Sequence, residues 1–126
     1  MTDASTQAVP QGLEFPEPMS LAALQQHSVA VCRHFGWDEH SHEKAFLLMM
    51  EEIGELAKAM RKSMGFAIEQ NNPLKPVNNH ETVRLNLQEE FADVLNYFIE
   101  LANRFDIDLE EAYRQKTIAN FQRQWG

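Results

Sequence analysis

Two short stretches of this chain carry carboxylates in the same order. Residues 50–57 read Met-Glu-Glu-Ile-Gly-Glu-Leu-Ala, and residues 88–95 read Gln-Glu-Glu-Phe-Ala-Asp-Val-Leu. Each has two adjacent acids, then another acid three residues after the second, with matching apolar positions between. On an α-helix each residue advances ~100° about the axis. With Ile53 at the centre of a core-facing stripe, Glu52 falls ~100° to one side and Glu55 ~60° further round the same way. With Phe91 in that position, Glu90 and Asp93 take the same two angles. Leu48 and Ala59 flank Glu52 and Glu55, so that side is expected to be partly covered as well. Two such helices packed as a hairpin bring Glu52, Glu55, Glu90 and Asp93 along one groove.

Four converging carboxylates repel one another where water is scarce, so they must take up protons or cations. Hard divalent cations with oxygen ligands are the natural partners. Magnesium uses a few carboxylates, keeps several waters and takes its remaining ligands from substrate phosphates. Such an ion polarises a phosphoryl group and can generate a hydroxide nucleophile. The plain alternative is a pair of acidic helix faces bathed in solvent. The matched register of the two copies speaks against it.

These residues need helices to carry them, and the surrounding sequence supplies the signals. Ser20 is a good N-cap for a first helix ending near Phe35 at Gly36. Ser41 can cap a second, from His42 to about Met64, ending at Gly65. Its apolar residues Phe46, Met49, Met50, Ile53, Leu56, Ala57, Met60 and Met64 recur at steps of three and four. Residues 65–82 carry Asn71, Asn72, Pro73, Pro76, Asn78 and Asn79, which is turn chemistry over an unusually long connection. A third helix is expected from Glu81 to Arg104, with Leu87, Phe91, Val94, Leu95, Phe98 and Ala102 on one face. Asp106 or Asp108 caps a fourth, from Leu109 to about Gln124. No stretch alternates with period two for long enough to make a strand. The expectation is an all-α chain with a flexible N-terminal tail over residues 1–18 and one domain over 19–126.

The bulk composition agrees. A length of 126 residues suits one domain, and 44% hydrophobic with 24% charged residues reads as globular. A small helical domain gains burial by pairing, so a homodimer or homotetramer is expected. The net charge of −8 argues against a nucleic-acid partner, which needs a basic face. Cys32 is the only cysteine, which excludes an intrachain disulfide and suits a reducing compartment. With neither a signal-peptide pattern nor an apolar run of membrane length, no membrane association and a cytoplasmic location are expected.

The paired words, Glu51-Glu52-Ile53-Gly54-Glu55-Leu56 and Glu90-Phe91-Ala92-Asp93-Val94-Leu95, resemble the EExxE…ExxD signature of the MazG-like all-α nucleotide pyrophosphohydrolase superfamily. That superfamily includes dimeric dUTPases, dCTPases and phosphoribosyl-ATP pyrophosphohydrolases. The resemblance extends to His34-Phe35-Gly36-Trp37, to residues 107–112, and to Lys116 and Asn120. It implies a four-helix bundle with two antiparallel central helices. It also implies Mg2+-dependent cleavage of a nucleoside triphosphate to monophosphate and pyrophosphate, with Mn2+ as a substitute metal. By position in the motif, Glu52, Glu55, Glu90 and Asp93 are the implied metal ligands. Glu51 or Glu89 would orient or deprotonate the attacking water. The wide separation of the two acidic words departs from the compact members and leaves the specificity open.

Other residues have weaker patterns. Lys116 and Asn120, one turn apart, are implied by the resemblance to hold phosphates; an exposed helix face is the bland reading. Trp37 could stack on a base or fill the core. Lys62 and Arg61 fit helix-end cations that favour the dipole. Cys32 has no catalytic partner and reads as a small buried group. A single Glu39-x-x-His42 unit does not make a di-iron bundle, which needs two. Rival functions are phosphoribosyl-ATP hydrolysis, a nucleotide-sensing regulator, and a non-catalytic helical dimerisation module.

Overall fold

A computed structural model of the chain describes residues 9–65 and 80–123. Among these residues the structure is all-helical, with no strand: α1 (Leu21–Phe35), a 3₁₀ turn (Trp37–Glu39), α2 (His42–Ser63), α3 (His80–Arg104) and α4 (Leu109–Gln122). The all-α class with four helices is therefore as expected. The 65–82 connection falls largely outside the described residues, and residues 80–82 already belong to α3. The first eight residues of the N-terminal tail and the expected helix end at Gln124 also lie outside them.

Local chemistry sets the helix boundaries. Ser20 Oγ accepts from Ala23 N–H at 3.1 Å and Ser41 Oγ from Lys44 N–H at 3.1 Å. Asp108, rather than Asp106, caps α4, its Oδ1 accepting from Glu111 N–H at 3.1 Å. Each side chain satisfies an N–H that has no partner within its own helix. Helix α1 stops where Gly36 turns left-handed at φ 75°, a conformation that costs glycine nothing.

Two compact units share the chain: Met1–His40 with Ile99–Gly126, and Ser41–Phe98. In the first, buried Gln25 is the hub. Its Nε2 donates to Asn103 Oδ1 at 3.0 Å and to Ile107 O at 2.8 Å, and its Oε1 accepts from Leu109 N–H at 2.9 Å. One amide thereby joins α1 to the end of α3 and the start of α4. The His27 ring meets Leu13 O at 2.8 Å and packs on Phe15. In the same unit Arg104 clamps buried Glu100 and donates to the His40 and Trp37 carbonyls, which fixes the 3₁₀ turn.

The second unit holds α2 and α3 as far as Phe98. Glu52 approaches Glu90 and Asp93, whereas Lys62, further along α2, shares a groove with Thr82 and Val83, earlier on α3. Advancing on one helix means retreating on the other, so the pair is antiparallel. Its packing corrects one expectation. Ile53 and Phe91, the centres of the expected core stripe, are 38% and 54% exposed. Phe46, Met50, Met60, Leu95 and Phe98 are exposed with them. On α2 the buried residues are Ala45 and Ala59, with half-buried Glu52 midway between. Steps of seven residues return to nearly the same angle on a helix. The buried line of α2 therefore runs through two alanines and a glutamate, ~100° from Ile53.

Candidate metal centre

Glu52, Glu90 and Asp93 each offer a carboxylate oxygen, and these oxygens all lie within 4.8 Å of one another. Helix α2 supplies Glu52 from the line that runs through its two buried alanines, Ala45 and Ala59. Helix α3 supplies Glu90 and Asp93, three residues apart and so on one face. All three are half-buried.

The electrostatics of the cluster are those of an unmet negative charge. Burial holds the Glu52 carboxyl above the usual range, and the charges of Asp93 and Glu90 push it further the same way. Glu55 contributes a smaller push in that direction. Glu90 Oε2 is buried and has no hydrogen-bond partner. An unpaired buried polar atom of this kind costs about 1–3 kcal/mol, more when charged. Three hard oxygen donors around one point, one of them orphaned, are a donor set that suits a divalent cation such as Mg2+.

The remaining sequence-derived candidates are distributed as follows. Glu55, one turn past Glu52, is exposed and is not among the three converging groups. Glu51 and Glu89 are exposed beside Glu52 and Glu90. Lys116 and Asn120 are exposed on α4. Trp37 is 43% exposed, so the core-filling option is wrong for it; its ring stacks on Phe35 with centroids 4.5 Å apart. Cys32 is buried, 3.8 Å from Ser28 Oγ, and burial keeps its thiol protonated above the usual range. The sequence reading missed the Glu100–Arg104 pair, which was visible only as an ordinary i,i+4 spacing.

The comparisons with known proteins bear on this geometry. No curated protein matches the chain closely enough to count as a relative. The family model described as the MazG nucleotide pyrophosphohydrolase domain matches residues 40–122, more than half of the chain. That span takes in α2, α3 and α4 and, with them, all three converging carboxylates. Acidic helices of matched register, packed antiparallel around a carboxylate cluster, thus coincide with the matched region, and the chain belongs to the MazG nucleotide pyrophosphohydrolase family.

Proposed function

We propose that this chain hydrolyses a nucleoside triphosphate, a surplus or modified deoxynucleotide among the candidates, to the monophosphate and pyrophosphate with Mg2+ as cofactor. Family membership supports nucleotide pyrophosphohydrolase activity in general. The observation that carries the finer reading is the convergence of Glu52, Glu90 and Asp93 around the orphaned Glu90 Oε2. In this reading those three residues and Glu55 hold the cation, and Mn2+ can replace Mg2+. When bound, the ion supplies positive charge against the polyphosphate and makes water a readier nucleophile.

The protein groups then have separate tasks. Glu52 must give up the proton that its surroundings favour before it can act as a ligand. Glu51, exposed next to it, orients or deprotonates the attacking water. Lys116 and Asn120 hold phosphate oxygens, a task that suits a point-charge lysine. Trp37, already stacked on Phe35, offers an aromatic face to the base. The exposure of Ile53 on α2 and of Phe91, Leu95 and Phe98 on α3 supports a homodimer or homotetramer, because exposed apolar side chains in number mark contact surfaces. A net charge of −8 supports the absence of a nucleic-acid partner. Among the described residues no helix is long and apolar enough to cross a membrane. A cytoplasmic location is part of the same proposal.

Product chromatography tests it. The purified protein is incubated with a panel of nucleoside triphosphates, with Mg2+ or with chelator, alongside Asp93→Asn. Monophosphate and pyrophosphate in equal amounts, dependent on Mg2+ and lost in the variant, are the expected result. Monophosphate with two equivalents of orthophosphate, or turnover that survives Asp93→Asn, would overturn the reading.

A further inference from the structure

Trp37 is fixed at both its ring and its main chain. Past the left-handed Gly36, the Trp37 ring lies flat on Phe35, with centroids 4.5 Å and planes 18° apart. The Trp37 carbonyl accepts twice, from His40 N–H at 3.2 Å and from Arg104 Nη2 at 3.2 Å. Arg104 Nη1 donates to the His40 carbonyl at 2.6 Å, so one guanidinium holds the start and the end of the turn. Its Nε and Nη2 are in turn set by Glu100 Oε1, at 2.9 and 2.6 Å. Asp38, Cys32, Glu100 and Arg104 line a cavity of about 190 Å³ beside the turn. Hydrogen bonds, rather than close packing on that side, therefore hold the main chain of the turn.

We propose that Glu100 and Arg104 are positioning residues, which together with Phe35 hold Trp37 as a preset stacking face for a nucleobase. The proposal rests on the assignment of Trp37 to the base in the reading above. Trp37 is 43% exposed although one face of its ring lies on Phe35, so the exposure belongs to the other face and the edge. A free aromatic face of this kind stacks any base, because every base has a π-face.

The energetics of the ion pair point to the same role. A buried pair is a weak source of stability, and apolar side chains of similar volume often replace one without loss. Apolar side chains cannot donate to the Trp37 and His40 carbonyls, however. The planar fork of an arginine can, while it keeps its carboxylate partner. A ring that is ordered before the ligand arrives has less freedom to lose on binding, and affinity gains by that amount.

Fluorescence tests this in a Trp125→Phe background, where Trp37 is the only tryptophan. The probes are the monophosphates of adenosine, guanosine, cytidine and uridine, with inorganic pyrophosphate as the base-free control, all with Mg2+. Binding of at least one nucleotide is expected to quench Trp37. The double variant Glu100→Leu/Arg104→Met should keep its helices by circular dichroism and show lower Trp37 anisotropy. It should bind that nucleotide about fivefold weaker, the scale of one side chain left to be ordered on binding, with pyrophosphate affinity unchanged. Arg104→Lys, which keeps the charge against Glu100 but not the fork, should fall between, and Phe35→Leu should shift both readouts the same way. On a triphosphate that is turned over, KM should rise by the same factor with kcat kept. Unchanged anisotropy or nucleotide affinity in the Arg104 variants, an equal loss for pyrophosphate, or no response of Trp37 to any of the four nucleotides would each overturn the proposal. A clamp-dependent response without turnover of any triphosphate would support the stacking face and sink the hydrolase reading instead.

Discussion

Glu90 and Phe91 are neighbours in α3 with their ordinary exposures reversed: an oxygen of Glu90 is fully buried without a partner, while the Phe91 side chain is 54% exposed. Neither is a comfortable end state for a lone chain. A buried carboxylate calls for a cation, and an exposed phenyl ring calls for an apolar cover. The two residues face different directions on one helix, so the two demands are met by different partners.

The first demand gives a stability prediction. Without divalent ions, Asp93→Asn should melt at or above the wild-type temperature, because it removes repulsion from a crowded cluster. With Mg2+ in excess the order should reverse. Binding at a hundredfold over the dissociation constant stabilises the wild type by about 2.7 kcal/mol, and the variant should gain little of this. Thermal melts with and without chelator measure both. Equal Mg2+ shifts in the two proteins would remove the cluster from consideration as the metal site.

A pH dependence follows from Glu52. Its folded carboxyl is held above the ordinary value of 4.5 by burial, then by the charges of Asp93 and Glu90. In the window just above that value the folded state retains a proton that the unfolded chain has released. The corresponding stability is fully present below the ordinary value and is lost as pH rises through the folded one. The melting temperature of the metal-free protein should therefore fall across this window, and Glu52→Gln should flatten the slope. A metal-free wild type that becomes more stable there would contradict the assignment.

The second demand concerns assembly. Phe91→Asp places a charge at one end of the exposed apolar row that Phe91, Leu95 and Phe98 make at helical spacing along α3. Sedimentation should show the wild type as a dimer or larger, and the variant shifted toward monomer with its helix content preserved. A wild type that sediments as a monomer at high concentration would leave the face without its expected occupant.

A further prediction concerns the other unit. Arg104 Nη2 lies 2.6 Å from Glu100 Oε1, with the two side chains only 10% and 11% exposed. Removing one member of a buried pair leaves the other charge uncompensated, at a cost of about 3–5 kcal/mol. Arg104→Met should destabilise on that scale, and adding Glu100→Leu should recover much of it. Denaturant titration of the single and double variants checks this. The carbonyls of Trp37 and His40 would also lose their donor, so the recovery should be incomplete.

Much of this protein was determined by local sequence alone. Ser20, Ser41 and Asp108 cap, and Gly36 ends a helix, through atoms only a few residues apart, so helix boundaries needed no knowledge of the fold. The paired acids on α2 and α3 were legible for the same reason: helical spacing puts Glu90 and Asp93 on one face whatever surrounds them. Tertiary structure decided which face of each helix is covered within the chain. Helical periodicity pointed to Ile53 and Phe91, whereas the buried residues of α2 are Ala45 and Ala59, with half-buried Glu52 on their line. It also decided that Glu55 stands outside the converging trio. The hub at Gln25 and the Arg104 clamp were equally beyond the sequence, because their partners lie many residues away and an isolated amide or an i,i+4 charge pair has no local signature of burial.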